Sequence, residues 1–420
     1  HRDLHSFPTR RSSDLLIGCA TVAAADGAPD ELAGGLQALR SAWQLTGVTP
    51  SATVMGYDSE RGPELLVAGP RAASEPARLG DLTLVSPDGH ARRRLVAETG
   101  LVGWPALVGQ AAVACEQAGT LTVWTLSRSG LENTPRRITT AQPGTLGPVC
   151  LGRTALFATG SRVNAVGDLL DERWHADLPS AVAVPLATDS ERAFAADAAG
   201  LTALSLTGGQ RAWRTALPAA PRTALVVAEG LVIAGLSDGS VRAWDVDDGS
   251  EQWRRDVDAP ADFALMPAVA GPWLFLTLAD GRMLGLEVGS GELRWSAHRA
   301  GPLSSPVVGR GHVFVTTGDG LIAAVSIADP TQGRTAAAID ADGRPVRLTS
   351  VPCLLGDRLY AVSDEGLLVA RDLVGASGAV DWPLPGGTAQ RVGHSLPADA
   401  LPPALDPQPG PAPEDDLDTP

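Results

Sequence analysis

From Leu231 to Trp253 the chain reads LVIAGLSDGSVRAWDVDDGSEQW: an apolar run, an Asp-Gly turn, an alternating apolar and polar run, a second Gly-bearing turn and a closing Trp. Short apolar or alternating runs bounded by Gly and Asp predict strands, and the Asp-Gly pair predicts a tight hairpin between them. The next unit, WLFLTLADGRMLGLEVGSGELRW, repeats this grammar and ends at Trp295, 42 residues after Trp253. The preceding unit, LTALSLTGGQRAW, ends at Trp213, 40 residues before Trp253, and Trp174 stands another 39 residues upstream.

The turn glycine carries the count through units that lack the Trp. Gly80, Gly119, Gly160, Gly200, Gly239, Gly281, Gly320 and Gly366 are separated by 39, 41, 40, 39, 42, 39 and 46 residues, which makes eight units. A two-residue link between antiparallel strands needs positive φ, which glycine adopts without a Cβ clash. An Asp before it, as in Asp238-Gly239, Asp280-Gly281 and Asp319-Gly320, can hydrogen-bond the turn backbone. A second marker precedes the units: Pro105, Pro148, Pro185, Pro267, Pro306 and Pro352 stand near the start of short apolar strands. Proline donates nothing to a ladder, so it suits a strand's first residue, and each unit is expected to open with an inner strand. The closing Trp174, Trp213, Trp253, Trp295 and Trp382 are expected on outer strands, packed between neighbouring units.

A period near 40 with several strands per period is the pattern of a propeller blade. The expected fold is all-β, an eight-bladed β-propeller of four-stranded blades over residues 37–385, with seven blades as the alternative. Upstream of the first unit, LRSAWQL from Leu39 to Leu45 places Trp43 in the style of an outer strand. It is expected to join the last blade, so that the two ends of the chain share one sheet and no edge stays open.

The Asp-Gly turn, the strand Val241-Arg-Ala-Trp-Asp245, Gly249 and Trp253 together resemble the pyrroloquinoline-quinone-like (PQQ-like) repeat. The resemblance runs from about Ala52 to Leu384 and is weakest in the first unit, where Arg93 or Arg94 takes the Trp position. Families with this repeat include quinoprotein dehydrogenases, BamB-like outer-membrane assembly lipoproteins and extracellular sensor domains of bacterial kinases, and fold alone does not choose among them. Quinoprotein dehydrogenases hold their cofactor with adjacent cysteines, calcium ligands and an aspartate base. This sequence has no Cys-Cys pair, so the resemblance carries over the fold and no cofactor residue.

Composition narrows the partners. The net charge is −15 and every basic residue is Arg, with no Lys, which reads as a GC-rich genome; an acidic surface repels phosphate backbones, so nucleic acid is not expected. The opening His1–Leu15 resembles one reading frame of a sequencing adapter and is set aside as an artefact. Residues 16–36 read as the remnant of a signal or anchor and a linker, and Leu16-Ile17-Gly18-Cys19 resembles a bacterial lipobox, with Cys19 the lipidation candidate. A cleaved signal peptide or a single membrane anchor fits the same residues, and all three place the protein outside the cytoplasm, with membrane contact through the N-terminus alone. Residues 386–420, rich in Pro and Asp, are expected to be a disordered tail.

No motif for chemistry emerges. His90, His175, His298, His312 and His394 have no metal-ligand spacing, Ser304-Ser305 and Ser237-Asp238 stand in no nucleophile elbow, and Asp245, Asp247 and Asp248 read as turn residues. Cys115 and Cys150 lie in neighbouring units and are either joined by a disulfide or two buried thiols. No catalytic, cofactor-binding or metal residue is assigned. The leading expectation is a non-catalytic, monomeric envelope scaffold that binds a protein, peptide or glycan. The alternatives are a PQQ- and calcium-dependent dehydrogenase with a remodelled site, or the sensor portion of a kinase or transporter.

Overall fold

The computed structural model describes residues 41–45, 52–59, 62–69, 81–86, 88–108, 111–127, 130–131, 135–140, 146–151, 153–167, 171–257, 262–339 and 344–373. Cys19, Gly80, Trp382, His394, the opening His1–Leu15, the linker at 16–36 and the tail at 386–420 lie outside the described residues.

Every element among the described residues is a strand. Blade 5 shows the plan: an inner strand Val226–Ala228, then Leu231–Gly235, Ser240–Asp245 and the outer strand Glu251–Asp256, each antiparallel to the next. Blades 1 to 7 span 53–96, 101–139, 149–177, 187–216, 226–256, 268–298 and 307–336, and blade 8 takes Cys353–Leu355, Arg358–Val362 and Leu368–Asp372. Its fourth strand is Ser41–Leu45, which pairs with Leu368–Asp372, Leu45 opposite Leu368 and Trp43 opposite Ala370. The expected closure by the N-terminal segment is therefore the observed one. Inner strands stand beside one another in order, and that of blade 8 lies beside that of blade 1, so eight blades close one ring. Each inner strand pairs on one side only, and the ring gathers these short edges around its axis, which protects them from edge-to-edge association.

Apolar side chains on both faces of each blade form the core between blades. Within blade 5 all five residues of Leu231–Gly235 are buried, and along Glu251–Asp256 only Trp253 is buried. Middle strands covered on both faces read as continuous apolar runs, and the outer strand alternates because one side meets water.

The turn glycines divide into two kinds. Gly239 has φ 84°, and Asp238 Oδ1 accepts the Ser240 N–H at 3.0 Å, the side-chain turn expected of Asp. Gly200 does not take positive φ; it opens the strand Gly200–Ser205, after a turn at Ala198-Ala199. A Cβ on Gly200 would stand 2.4 Å from the Arg214 guanidinium, so close packing selects this glycine. The carbonyl that accepts the first amide beyond the outer strand belongs to Gly239 and Gly281 in blades 5 and 6, to Ser161 in blade 3 and to Ala199 in blade 4. Gly160 and Gly200 thus sit one residue to either side of that position. Pro105 also departs from expectation: it lies inside the inner strand Leu101–Val108, at a register shift between Val102 and Ala106. A bulge leaves an amide out of the ladder, which is where a strand tolerates proline.

Candidate functional site

The repeat residues build the joints between blades. Trp174, Trp213, Trp253 and Trp295 lie on outer strands, and each donates its indole N–H into the following blade. The acceptors are the carbonyls of Leu206, Val246, Val288 and Ser326, at 2.8, 2.9, 2.8 and 3.1 Å. In three joints the ring rests on a glycine of the next blade's outer turn. A Cβ on Gly209 would stand 2.5 Å from the Trp174 ring, on Gly249 2.6 Å from Trp213 and on Gly291 2.4 Å from Trp253. These glycines have φ of 70°, 74° and 69°, so both conformation and space require them. At the Trp register position stand Arg93 in blade 1, Arg136 in blade 2 and Arg334 in blade 7, opposite Leu84, Val123 and Ala324. The choice between Arg93 and Arg94 falls on Arg93.

In blade 4 a buried carboxylate on the second strand ties an arginine on the outer strand. Arg214 Nη2 stands 2.9 Å from the Asp197 carboxylate, whose side chain is fully buried, and its Nη1 donates to Thr202 Oγ1 at 2.7 Å. Burial alone would raise the Asp197 pKa, but the Arg214 hydrogen bond and charge and the amides of Ala199 and Gly200 outweigh it and hold the carboxyl below its usual range. Glu229 shows the opposite balance: burial, aided by the Glu287 charge, pushes its carboxyl up.

Sites considered for chemistry resolve into structural roles. Ser305 Oγ accepts the Met266 N–H at 3.0 Å, and Ser304 Oγ accepts the Thr316 N–H at 3.0 Å, so both hydroxyls pin strands of adjacent segments. Asp245 and Asp248 cap the backbone amides of Asp247 and Ser250, while Asp247 accepts Arg192 Nη2 from blade 4 at 2.6 Å. His175 meets Glu172 at 2.7 Å, and His298 and His312 contact the backbone carbonyls of Asp280 and Arg310 at 3.1 and 2.8 Å. His90 stands 3.9 Å from Asp88 at the surface. Among the described residues no group of three His, Cys, Asp or Glu side chains could hold a metal ion.

Cys115 and Cys150 are not joined in this structure. Both are buried thiols in one cluster with Ala106, Val113, Val123, Ala155 and Phe157, where sulfur packs as a small apolar group. Cys353 is likewise buried, and burial pushes its thiol up to about 12, which leaves no thiolate at neutral pH.

At one end of the ring, the segments that return from outer to inner strands bridge to the hairpin of the blade that follows at Val182, Pro221, Phe263, Leu303 and Leu348. The residues that follow are Ala183, Arg222, Ala264, Ser304 and Thr349. They offer one guanidinium, two hydroxyls and two methyl groups.

Two clefts lie on the rim of blades 2 to 4. A cleft of about 340 Å³ between blades 2 and 3 has an apolar floor of Ile138, Phe157 and Val166 beneath Thr139, Asn164 and Arg162. A second cleft of about 340 Å³ between blades 3 and 4 pairs Leu178 and Leu204 with Thr202, Arg211 and Arg214. They occupy equivalent places in successive joints, on either side of the outer strand Glu172–Asp177. Sequence reasoning missed both, because Val166 and Leu204, or Asn164 and Thr202, become counterparts only through strand register.

Eight four-stranded sheets in one closed ring define the chain as an eight-bladed β-propeller of PQQ-like repeats. The family model described as outer membrane protein assembly factor BamB matches residues 159–298 and 237–400, and the chain belongs to that family. A relative in Shewanella oneidensis, outer membrane protein assembly factor BamB, is 26% identical over 186 residues, which are 43% of this chain and 38% of that protein. The chain therefore spans well under half of that relative's length in the match. The crystal structure of BamB from Moraxella catarrhalis superposes with a TM-score of 0.61 at 16% identity, over 80% of this chain and 98% of that one. Sqt1 of Saccharomyces cerevisiae gives 0.61 at 12% identity over 78% and 97%, and the computationally designed Ika8 protein 0.61 at 12% over 78% and 98%. These likenesses are of fold.

Proposed function

We propose that this chain is a non-catalytic binding scaffold of the bacterial cell envelope, exported or anchored through its N-terminus, and that it holds a protein or peptide partner against the rim of blades 2 to 4. Membership of a family named for outer membrane protein assembly supports a protein partner and an extracytoplasmic setting. The observation that carries the reading is the pair of equivalent clefts flanking one outer strand. The strand Glu172–Asp177 has a neighbour on its inner side only, through Arg162–Gly167, and its exposed edge can accept an extended segment. Successive side chains of such a segment would enter the clefts on either side in alternation, and Arg162 and Arg211 would meet its polar groups.

The test is photocrosslinking from position His175, on that strand, in the native cell envelope. Covalent capture of one protein, lost when Thr139→Trp and Asn164→Trp fill the first cleft, is the expected result. Capture at the opposite rim, from a probe at Gln332, with none from His175, would move the partner elsewhere and remove the proposed site.

A further inference from the structure

Blade 8 breaks a rule that the other seven keep. In each blade the residue following the partner of the closing position faces the preceding blade and is apolar and buried: Val85, Trp124, Val166, Leu204, Trp244, Leu286 and Val325, at exposures of 2% or less. In blade 8 that residue is Arg371, 1% exposed. Its Nη2 donates to the Ile339 carbonyl at 2.5 Å, and neither Nε nor Nη1 has a hydrogen-bond partner among the described residues. Across the same joint stands Arg334, at the register position from which Trp174, Trp213, Trp253 and Trp295 reach into the next blade. No carboxylate among the described residues pairs with either arginine.

An unpaired buried guanidinium costs several kcal/mol. A position that is apolar seven times out of eight has no packing need for one. The joint is also unlike the others in its cover. Between blades 7 and 8 the chain inserts a hairpin of Ala338–Ile339 paired with Pro345–Val346, and Ile339, whose carbonyl holds Arg371, is itself 46% exposed. Ala338 and Val346 pack into the core of the joint with Leu348, Leu354 and Val369.

We propose that the joint between blades 7 and 8 is an oxyanion-binding site, in which Arg371 grips a phosphate or carboxylate group through its two unpartnered N–H edges and Arg334 closes on it from the rim. Nη2 lies between the two free donors, and its hydrogen not given to Ile339 makes with the free N–H beside it the planar fork that suits two parallel bonds to such a group. Burial has pulled the Arg371 guanidinium below its usual pKa, and a bound anion would reverse that shift. Two sources offer the chemistry: a solute anion, or the chain's own acidic stretch at 414–418, which follows Arg371 in the sequence and holds Glu414, Asp415, Asp416 and Asp418. The site is independent of the rim clefts of blades 2 to 4, and its fate does not decide theirs.

Calorimetric titration of the full chain and of the chain ended at Pro385 with inorganic phosphate, at fixed ionic strength in chloride, tests it. Saturable binding by at least one form is expected, about tenfold weaker in Arg334→Leu and Arg371→Lys and lost in Arg371→Leu. Replacing a buried unpaired charge by Leu leaves the fold at least as stable, so unchanged thermal unfolding in chloride separates loss of the site from loss of structure. Binding by the short chain alone, restored to the full chain when the four acids of 414–418 become amides, assigns the oxyanion to the tail. Equal binding by both forms assigns it to a solute. Phosphate binding by neither form, or binding undiminished in Arg371→Leu, overturns the proposal.

Discussion

Blades 3 to 6 and blades 7, 1 and 2 meet their neighbours in different ways. In the first group a Trp leaves the outer strand, gives its N–H to a carbonyl of the next blade and, in three joints, lies on a left-handed glycine there. In the second group an Arg holds the same register position. An indole buries a large apolar face and satisfies its one donor, so it fixes both distance and angle between sheets. A guanidinium brings charge, needs several acceptors and covers apolar surface only with its stem. The first arc is therefore a set of rigid dry joints, and the second a set of polar joints, one of which holds the buried Arg371. The difference teaches that a repeat can lose its signature residue and keep the fold, because the ring fixes the position of each blade through both neighbours.

Substitutions separate the two arcs, and the largest effects belong to the first. Trp253→Ala leaves a cavity and an idle Val288 carbonyl, and should lower stability by about 3–5 kcal/mol in denaturant unfolding. Asp197→Asn should cost about 3–5 kcal/mol at neutral pH, since Arg214 would lose its buried carboxylate. Its pH dependence has a definite sign. A carboxyl held below its usual value stabilises the fold above the unfolded pKa and loses that contribution as pH falls through the lowered folded value. Wild type and Asp197→Asn should thus differ most above about pH 5 and converge in acid below the usual carboxylate range. Gly249→Ala should cost about 1–3 kcal/mol, from positive φ and the clash with Trp213, with a matching fall in thermal midpoint. In the second arc Arg93→Ala should change stability by no more than about 1 kcal/mol. A loss equal to that of Trp253→Ala would show that arginine and tryptophan joints are equivalent. Smallest of all, a maleimide should fail to label Cys353 in the native ring, because burial denies it a thiolate.

Much of this architecture was readable before any coordinates. The near-forty spacing of turn glycines and of Trp174, Trp213, Trp253 and Trp295 reports a local grammar of strand, turn and strand, repeated because each blade solves the same packing problem. The closure by residues 41–45 was readable too, since a lone Trp43 strand with no unit of its own needs a sheet to complete. Glycine reasoning failed at Gly200 because spacing does not record whether a residue lies in the turn or one place beside it. Cys115 and Cys150 stayed ambiguous because neighbouring blades bring their strands together without stating which atoms meet.

Amino-acid order alone determined the class of element, the number of blades and the seam, since these follow from periodicity and turn chemistry within about forty residues. Tertiary structure alone decided which side chains face one another across a joint: the Trp on its glycine, the paired clefts beside 172–177, and Arg371 under its hairpin. Those are contacts between residues separated by a blade or more, and strand register and ring closure, not local sequence, set their geometry.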